Sequence, residues 1–305
     1  MVRFRRWLIV ACLAFVVLGS GVAATAWAYF HPRFDWRRGI VYGARRGQPL
    51  TLDVLVPASP NGLGIVQIVS GGWKSGPGSL QPWLVAPLLR HGYTVFAVFH
   101  VSQPRAKVDE IFADVSRAVR FVRAHAAEYR VDPDRLGVAG GSAGGHLSLL
   151  LATCGGPGPA DAADPVDTAS SAIQAAAVFC PVTDLTDLTG STEDPGDGGP
   201  PRTMRRAFDQ EPVDMARWRA TARDLSPLSH VAVGLPPVLI HHGDRDTLVP
   251  LDQSRRFRDR AAATGGDVTL VVVEGAGHVW LTMPLHVIRC ASWFDARLRT
   301  PTGSP

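Results

Sequence analysis

The chain has 305 residues, 46% of them hydrophobic and 19% charged, which excludes a disordered chain and allows one large domain or two. Its 31 glycines and 24 prolines follow no three-residue period, so a collagen-like fibre is excluded too. Three of the charges behind the net +4 are Arg3, Arg5 and Arg6, so the rest is nearly neutral and a nucleic-acid partner is not expected.

No residue from Trp7 to Phe30 is charged. That run exceeds the roughly 20 residues that span a bilayer as a helix. Arg3, Arg5 and Arg6 precede it, and Arg33, Arg37 and Arg38 follow. Trp7, Trp27 and Tyr29 stand at its ends, where interfacial aromatics belong. Residues 1–30 therefore read as a cleaved signal peptide or an uncleaved transmembrane signal anchor. Ala24-Thr25-Ala26 and Ala26-Trp27-Ala28 both offer small-residue cleavage sites, while the length of the run favours the anchor. Either way the body is expected to be exported. It would be membrane-anchored with residues 31–305 outside the cytoplasm, or secreted after cleavage.

Residues 31–305 read as one domain of alternating strands and helices. Leu50–Val56 predicts a strand ended by Pro57, and Ile65–Val69 a short one before a glycine cluster. Leu80–Arg90 has helical spacing, and Tyr93–Phe99 predicts a buried strand. Ile111, Val115, Ala118, Val119 and Val122 recur at spacings of three and four, predicting a helix over Asp109–Tyr129. Arg135–Ala139 predicts a strand and Gly144–Ala152 a helix. Gly155–Ser171 reads as a surface loop. Further strands are expected at Ile173–Phe179, Val238–His241 and Val268–Val273, and helices at Leu251–Ala263 and Leu285–Leu298. This order implies the α/β class, with a mostly parallel sheet covered by helices on both faces. Residues 183–233 break the rhythm and read as a cap or lid insertion. They end in a helix around Met215–Asp224, after a low-complexity stretch in which Ser191–Pro201 reads as a mobile surface loop. Cys12, Cys154, Cys180 and Cys290 form no CxxC pair and read as core cysteines. The histidines show no ligand spacing, so no metal and no cofactor are expected.

The strongest chemical signal is Gly140-Gly141-Ser142-Ala143-Gly144, a G-x-S-x-G between an apolar strand and an apolar helix. A tight strand-to-helix turn there would expose the Ser142 hydroxyl. The helix N-terminus would offer free N–H groups to a developing oxyanion. A serine hydroxyl needs an imidazole to take its proton and an acid to orient that imidazole. His242-Gly243-Asp244-Arg245-Asp246 follows one later strand, and Gly275-Ala276-Gly277-His278 the next. The order Ser142, Asp246, His278 is that of an α/β-hydrolase triad. His146, His241, His242 and His100 read as structural. Trp73, Trp83, Trp218 and Trp280 are candidates to line a substrate pocket, with Trp73 and Trp280 beside the expected site and core packing as the alternative.

With these motifs, residues 40–298 resemble the α/β-hydrolase superfamily, nearest the BD-FAE-like and hormone-sensitive-lipase-like esterases. DVSRAVRFVRAHAAEYRVDPDRLGVAGGSAGGHL, HHGDRDTLVP and GAGH carry the resemblance. It implies the α/β-hydrolase fold and a serine esterase acting on a small-molecule or polysaccharide-linked ester. It makes Asp246 the triad acid, with Asp244 as the alternative acid or else a loop stabiliser. It also implies an oxyanion hole of N–H groups from Gly71, Gly72 and Ala143. The family's H-G-G-G-W is replaced here by Val69-Ser70-Gly71-Gly72-Trp73, which puts the geometry of that loop at issue. An amide or peptide hydrolase on the same fold, and a membrane-tethered pseudo-hydrolase that binds without catalysis, stand as alternatives.

Overall fold

The structure, a computed structural model, describes residues 2–299; the side chains of residues 2, 3, 5–14, 16 and 17 lie outside that description. Apolar β-branched runs form the strands. β1 (Phe34–Arg45) and β2 (Gln48–Pro57) make an antiparallel hairpin, and β4 (Thr94–Val98) pairs antiparallel with β2. β3 (Gly64–Ile68), β5 (Leu136–Gly141), β6 (Ala175–Phe179), β7 (Val238–Gly243) and β8 (Val268–Val273) continue in parallel. The order is β1-β2-β4-β3-β5-β6-β7-β8.

Helices cover both faces, as the sequence predicts for strands apolar on both sides. α2 (Pro82–Arg90) and α8 (Met283–Leu298) share a core with one face. α3 (Val108–Ala124), α4 (Ala143–Cys154), α6 (Met215–Asp224) and α7 (Leu251–Ala263) share a core with the other. The chain leaves β3 through α2 for β4 on one side, then returns through α3 to β5 on the other. The order therefore reverses between β3 and β5. A crevice opens outside the carboxyl ends of strands at such a switch point. Here those ends carry Val69-Ser70-Gly71 and Ser142.

Several expectations shift. β1 was not anticipated: it is an edge strand whose Arg37, Arg38 and Gly39 break the apolar alternation, and its register with β2 slips beside them. The helix expected to Tyr129 ends at Ala124 and continues as a 3-10 turn, Ala126–Tyr129. The loop 155–171 holds a one-turn helix, α5 (Pro165–Thr168). Cys180 and Cys290 are buried, but Cys154 is exposed at the end of α4. Residues 191–203 are tied down. Ser191 Oγ donates to Leu248 O, Thr192 N–H to Thr247 O, and Glu193 binds Thr203.

Residues 2–30 form one helix, α1, that packs on α2; Arg90 reaches the carbonyls of Ala28 and Tyr29. The membrane-spanning reading covers residues 7–30, of which the side chains of 7–14, 16 and 17 lie outside the described set. Among the described residues no helix is long and apolar enough to cross a membrane.

Candidate active site

Ser142 sits at the turn between β5 and α4 with φ 53° and ψ −120°. A non-glycine residue adopts a positive φ only when its surroundings enforce it. Here they do. A Cβ on Gly140 would lie 2.4 Å from Gly144 O, and one on Gly144 would lie 2.5 Å from Ile68 O. The glycines thus let strand, turn and helix approach closely enough to lift Ser142 above the sheet. Its own N–H donates to Phe179 O at 2.8 Å, which anchors the turn to β6.

Ser142 Oγ lies 2.9 Å from His278 Nε2, and His278 Nδ1 lies 2.7 Å from Asp246 Oδ2. With Nδ1–H donating to the carboxylate, Nε2 is left to accept the serine proton. The other oxygen of Asp246, Oδ1, accepts from the N–H groups of Leu248 at 3.0 Å and Val249 at 2.9 Å. Asp244 turns elsewhere and accepts from Gly275 N–H at 2.7 Å, holding the histidine loop. The structure therefore pairs His278 with Asp246 and not Asp244.

The pair sets its own protonation. Burial works against the charged form of His278, but the hydrogen bond from Asp246 outweighs it, with Cys180 adding, and the pKa rises above the usual 6.5. Burial likewise opposes the charged form of Asp246. Hydrogen bonds from His242, His278 and the Val249 N–H outweigh it and hold the carboxyl well below the usual carboxylate range.

The oxyanion loop departs from the expected donor set. Gly71 N–H donates to Lys74 O at 3.0 Å and is therefore engaged within its own turn. Among the described residues the N–H groups of Gly72, in the loop after β3, and Ala143, at the start of α4, have no acceptor. Ser70 fixes the loop in two ways. Its carbonyl accepts from Gly144 N–H at 3.1 Å, and its hydroxyl meets His100 Nε2 at 2.9 Å. His100 Nδ1 donates to Val101 O at 3.0 Å, so Nε2 accepts from the hydroxyl. Burial lowers the pKa of His100 to about 4, which keeps it neutral in that role at pH 7.

Ser142 and His278 open onto a cavity of about 630 Å³, lined also by Gly71, Gly72, Leu84, Phe179 and Met283. Neither Trp73 nor Trp280 is among its lining residues. Trp73 is buried edge-on against Phe208 and His146 and donates to His146 Nδ1 at 3.2 Å. Trp280 packs near Phe179 and against His286. Both tryptophans therefore pack into the interior, and apolar side chains of α2 and α8 take the wall they were expected to form. Among the described residues one trio gathers three metal-type donor atoms within 4.8 Å of one another: Cys180, Asp246 and His278. The last two are already joined by their hydrogen bond.

This strand-end constellation has relatives. The BD-FAE family pattern matches residues 52–260. The chain belongs to the BD-FAE family. It is 27% identical to the esterase LipC of Mycobacterium tuberculosis, over 81% of this chain and 60% of LipC. It is 31% identical to the esterase LipQ of the same organism, over 66% of this chain and 47% of LipQ. The chain thus spans about half the length of these curated relatives. Among solved structures, native esterase 2 of Thermogutta terrifontis is similar with a TM-score of 0.66 and 27% identity, over 91% of this chain and 96% of that one. The same esterase phosphorylated by paraoxon gives 0.67 at 25% identity, over 90% and 97%.

Three neighbours of this BD-FAE site escape motif reading. His242 is fully buried, with Nε2 2.7 Å from Val249 O and 3.3 Å from Asp246 Oδ2, and Nδ1 2.7 Å from Ser254 Oγ. It props the acid loop from below. Cys180 Sγ donates to His278 O at 3.3 Å. His100 reaches Ser70 from the end of β4. Only Ser70 left a trace in the sequence: a hydroxyl inside a glycine run needs a partner.

Proposed function

We propose that this BD-FAE member is a serine hydrolase of carboxylic esters, with Ser142, His278 and Asp246 as its triad. The observation that carries the reading is the line Ser142 Oγ, His278 Nε2, His278 Nδ1, Asp246 Oδ2, at 2.9 and 2.7 Å, at the mouth of the cavity. Ser142 attacks the ester carbonyl while His278 Nε2 takes its proton. The N–H groups of Gly72 and Ala143 receive the oxyanion, each worth about 3 kcal/mol if it meets the oxyanion closely. His278 returns the proton to the leaving alcohol, and an acyl group stays on Ser142. Water, deprotonated by His278, then releases the acid. Phosphorylation of the T. terrifontis esterase by paraoxon and its butyrate-bound form support an activated nucleophile and a small ester substrate.

The test is turnover of p-nitrophenyl acetate. Replacing Ser142→Ala is expected to lower kcat by at least about 10⁴-fold with the fold intact. Undiminished turnover would rule the mechanism out, and no turnover by the unaltered protein would leave the pseudo-hydrolase reading.

We also propose that residues 1–30 export the body and hold it at a membrane. The uncharged run Trp7–Phe30 between arginines supports this. N-terminal sequencing of the purified protein decides: a start near Trp27 or Tyr29 would sink the anchor.

A further inference from the structure

The cavity beside Ser142 runs further than the triad requires. It continues into the layer between the sheet and the packed pair α2 and α8. Side-chain size explains the space. From β5 and β6 the lining includes Ala139 and Ala177, each offering one methyl group, besides Gly140, Gly141 and Phe179, and from α8 it includes Cys290. Leu88 of α2 is 2% exposed, Cys290 3% and Phe294 of α8 0%, so the inner end is closed. No Asp, Glu or Arg lines the cavity, and its one lysine, Lys74, is exposed at the mouth. The inner wall therefore offers no charged partner and suits a hydrocarbon.

The two halves of an ester have different needs in the reaction. The acyl half remains bonded to Ser142 after the first step. The alcohol must leave and water must enter. A closed apolar end fits the half that stays. The open side runs past His278 and Val279, which is 76% exposed.

We propose that this α2–α8 cleft binds the acyl chain, and that the preferred substrates carry aliphatic acyl groups longer than acetyl, with the small side chains Ala139, Ala177 and Cys290 setting the usable length. The proposal rests on the serine-hydrolase reading above and names its substrate class.

The test uses the full chain with two ester series. In one, the acyl group of p-nitrophenyl esters lengthens from acetate through butyrate and hexanoate to octanoate. In the other, acetate is fixed and the alcohol lengthens. In the acyl series kcat/KM is expected to rise about fourfold per methylene, equivalent to the roughly 0.8 kcal/mol of a buried CH₂, until the cleft is full. The alcohol series is expected to stay flat. Cys290→Leu fills the cleft and is expected to lower the octanoate-to-acetate ratio at least tenfold. Val287→Phe, at a half-buried lining position of α8, is expected to act in the same direction and serves if the first variant does not fold. Overturning results are an acyl profile that is flat or falls from acetate, length dependence in the alcohol series instead, or an unchanged ratio in the folded variants. Cleavage of acetate with a flat acyl profile defeats the cleft alone. Cleavage of no ester defeats the serine-hydrolase reading, and the cleft with it.

Discussion

Asp246 favours the charged form of His278, and His278 that of Asp246, which sets a pH dependence. His278 accepts the Ser142 proton only when neutral, so activity falls as pH drops through its pKa. The Asp246 carboxylate raises that pKa above 6.5 and so holds the acid limb at higher pH. Asp246→Asn removes the negative charge. The limb is expected to move to lower pH, with kcat down about 10⁴-fold because the tautomer is no longer fixed. A pH profile of kcat/KM for both proteins reads this, and a limb that stays or moves upward would contradict it. Ser142, Asp246 and His278 were legible in the sequence because each follows a strand in a short motif and their order is that of a triad. Gly71 was misleading, since whether its N–H is free depends on the fold of its own turn, where Lys74 O takes it. Trp73 and Trp280 were misleading because an indole near a motif reads alike as pocket wall or core.

The element that would make Ser142 reactive on the proposed reading is the turn from β5 into α4, and it depends on missing side chains. Gly144→Ala would drive a methyl group to 2.5 Å from Ile68 O, a backbone atom of β3 that cannot swing aside. The expected cost is at least about 3 kcal/mol, the scale of an overpacked core site. Urea unfolding measures it, and an unchanged midpoint would show that the turn tolerates a Cβ. The glycines of this turn were legible as a motif, and most of the sheet was legible for a related reason. Strands buried on both faces, such as Ala175–Phe179, must be apolar throughout. The helices at Leu251–Ala263 and Met215–Asp224 fall where their periodicity and flanking residues put them. β1 was not legible because an edge strand needs neither rule: its pattern is set by pairing with β2 and by solvent, not by a core. The bonds that tie residues 191–203 down were equally hidden, because their partners Thr247 and Leu248 lie about fifty residues away.

At the scale of the whole molecule, chemistry gathers where the strand order reverses. β3 delivers Gly72, β5 delivers Ser142, and the loops after β7 and β8 deliver Asp246 and His278 to the same edge of one sheet. Helices on the two faces divide the remaining work. α4 supplies the N-terminus behind Ser142, while α2 and α8 enclose the space that an acyl chain would fill. Among the described residues the two hydrophobic cores begin at Tyr42, with Phe34, Trp36 and Ile40 packed at their margins. The central claim is that this assembly makes one hydroxyl, that of Ser142, a nucleophile. Mass spectrometry of the full chain after treatment with a fluorophosphonate tests it most directly. The account predicts a single adduct, carried on the peptide that contains Ser142 and lost in Ser142→Ala. A folded protein that takes no label, or takes it on another residue, would contradict it.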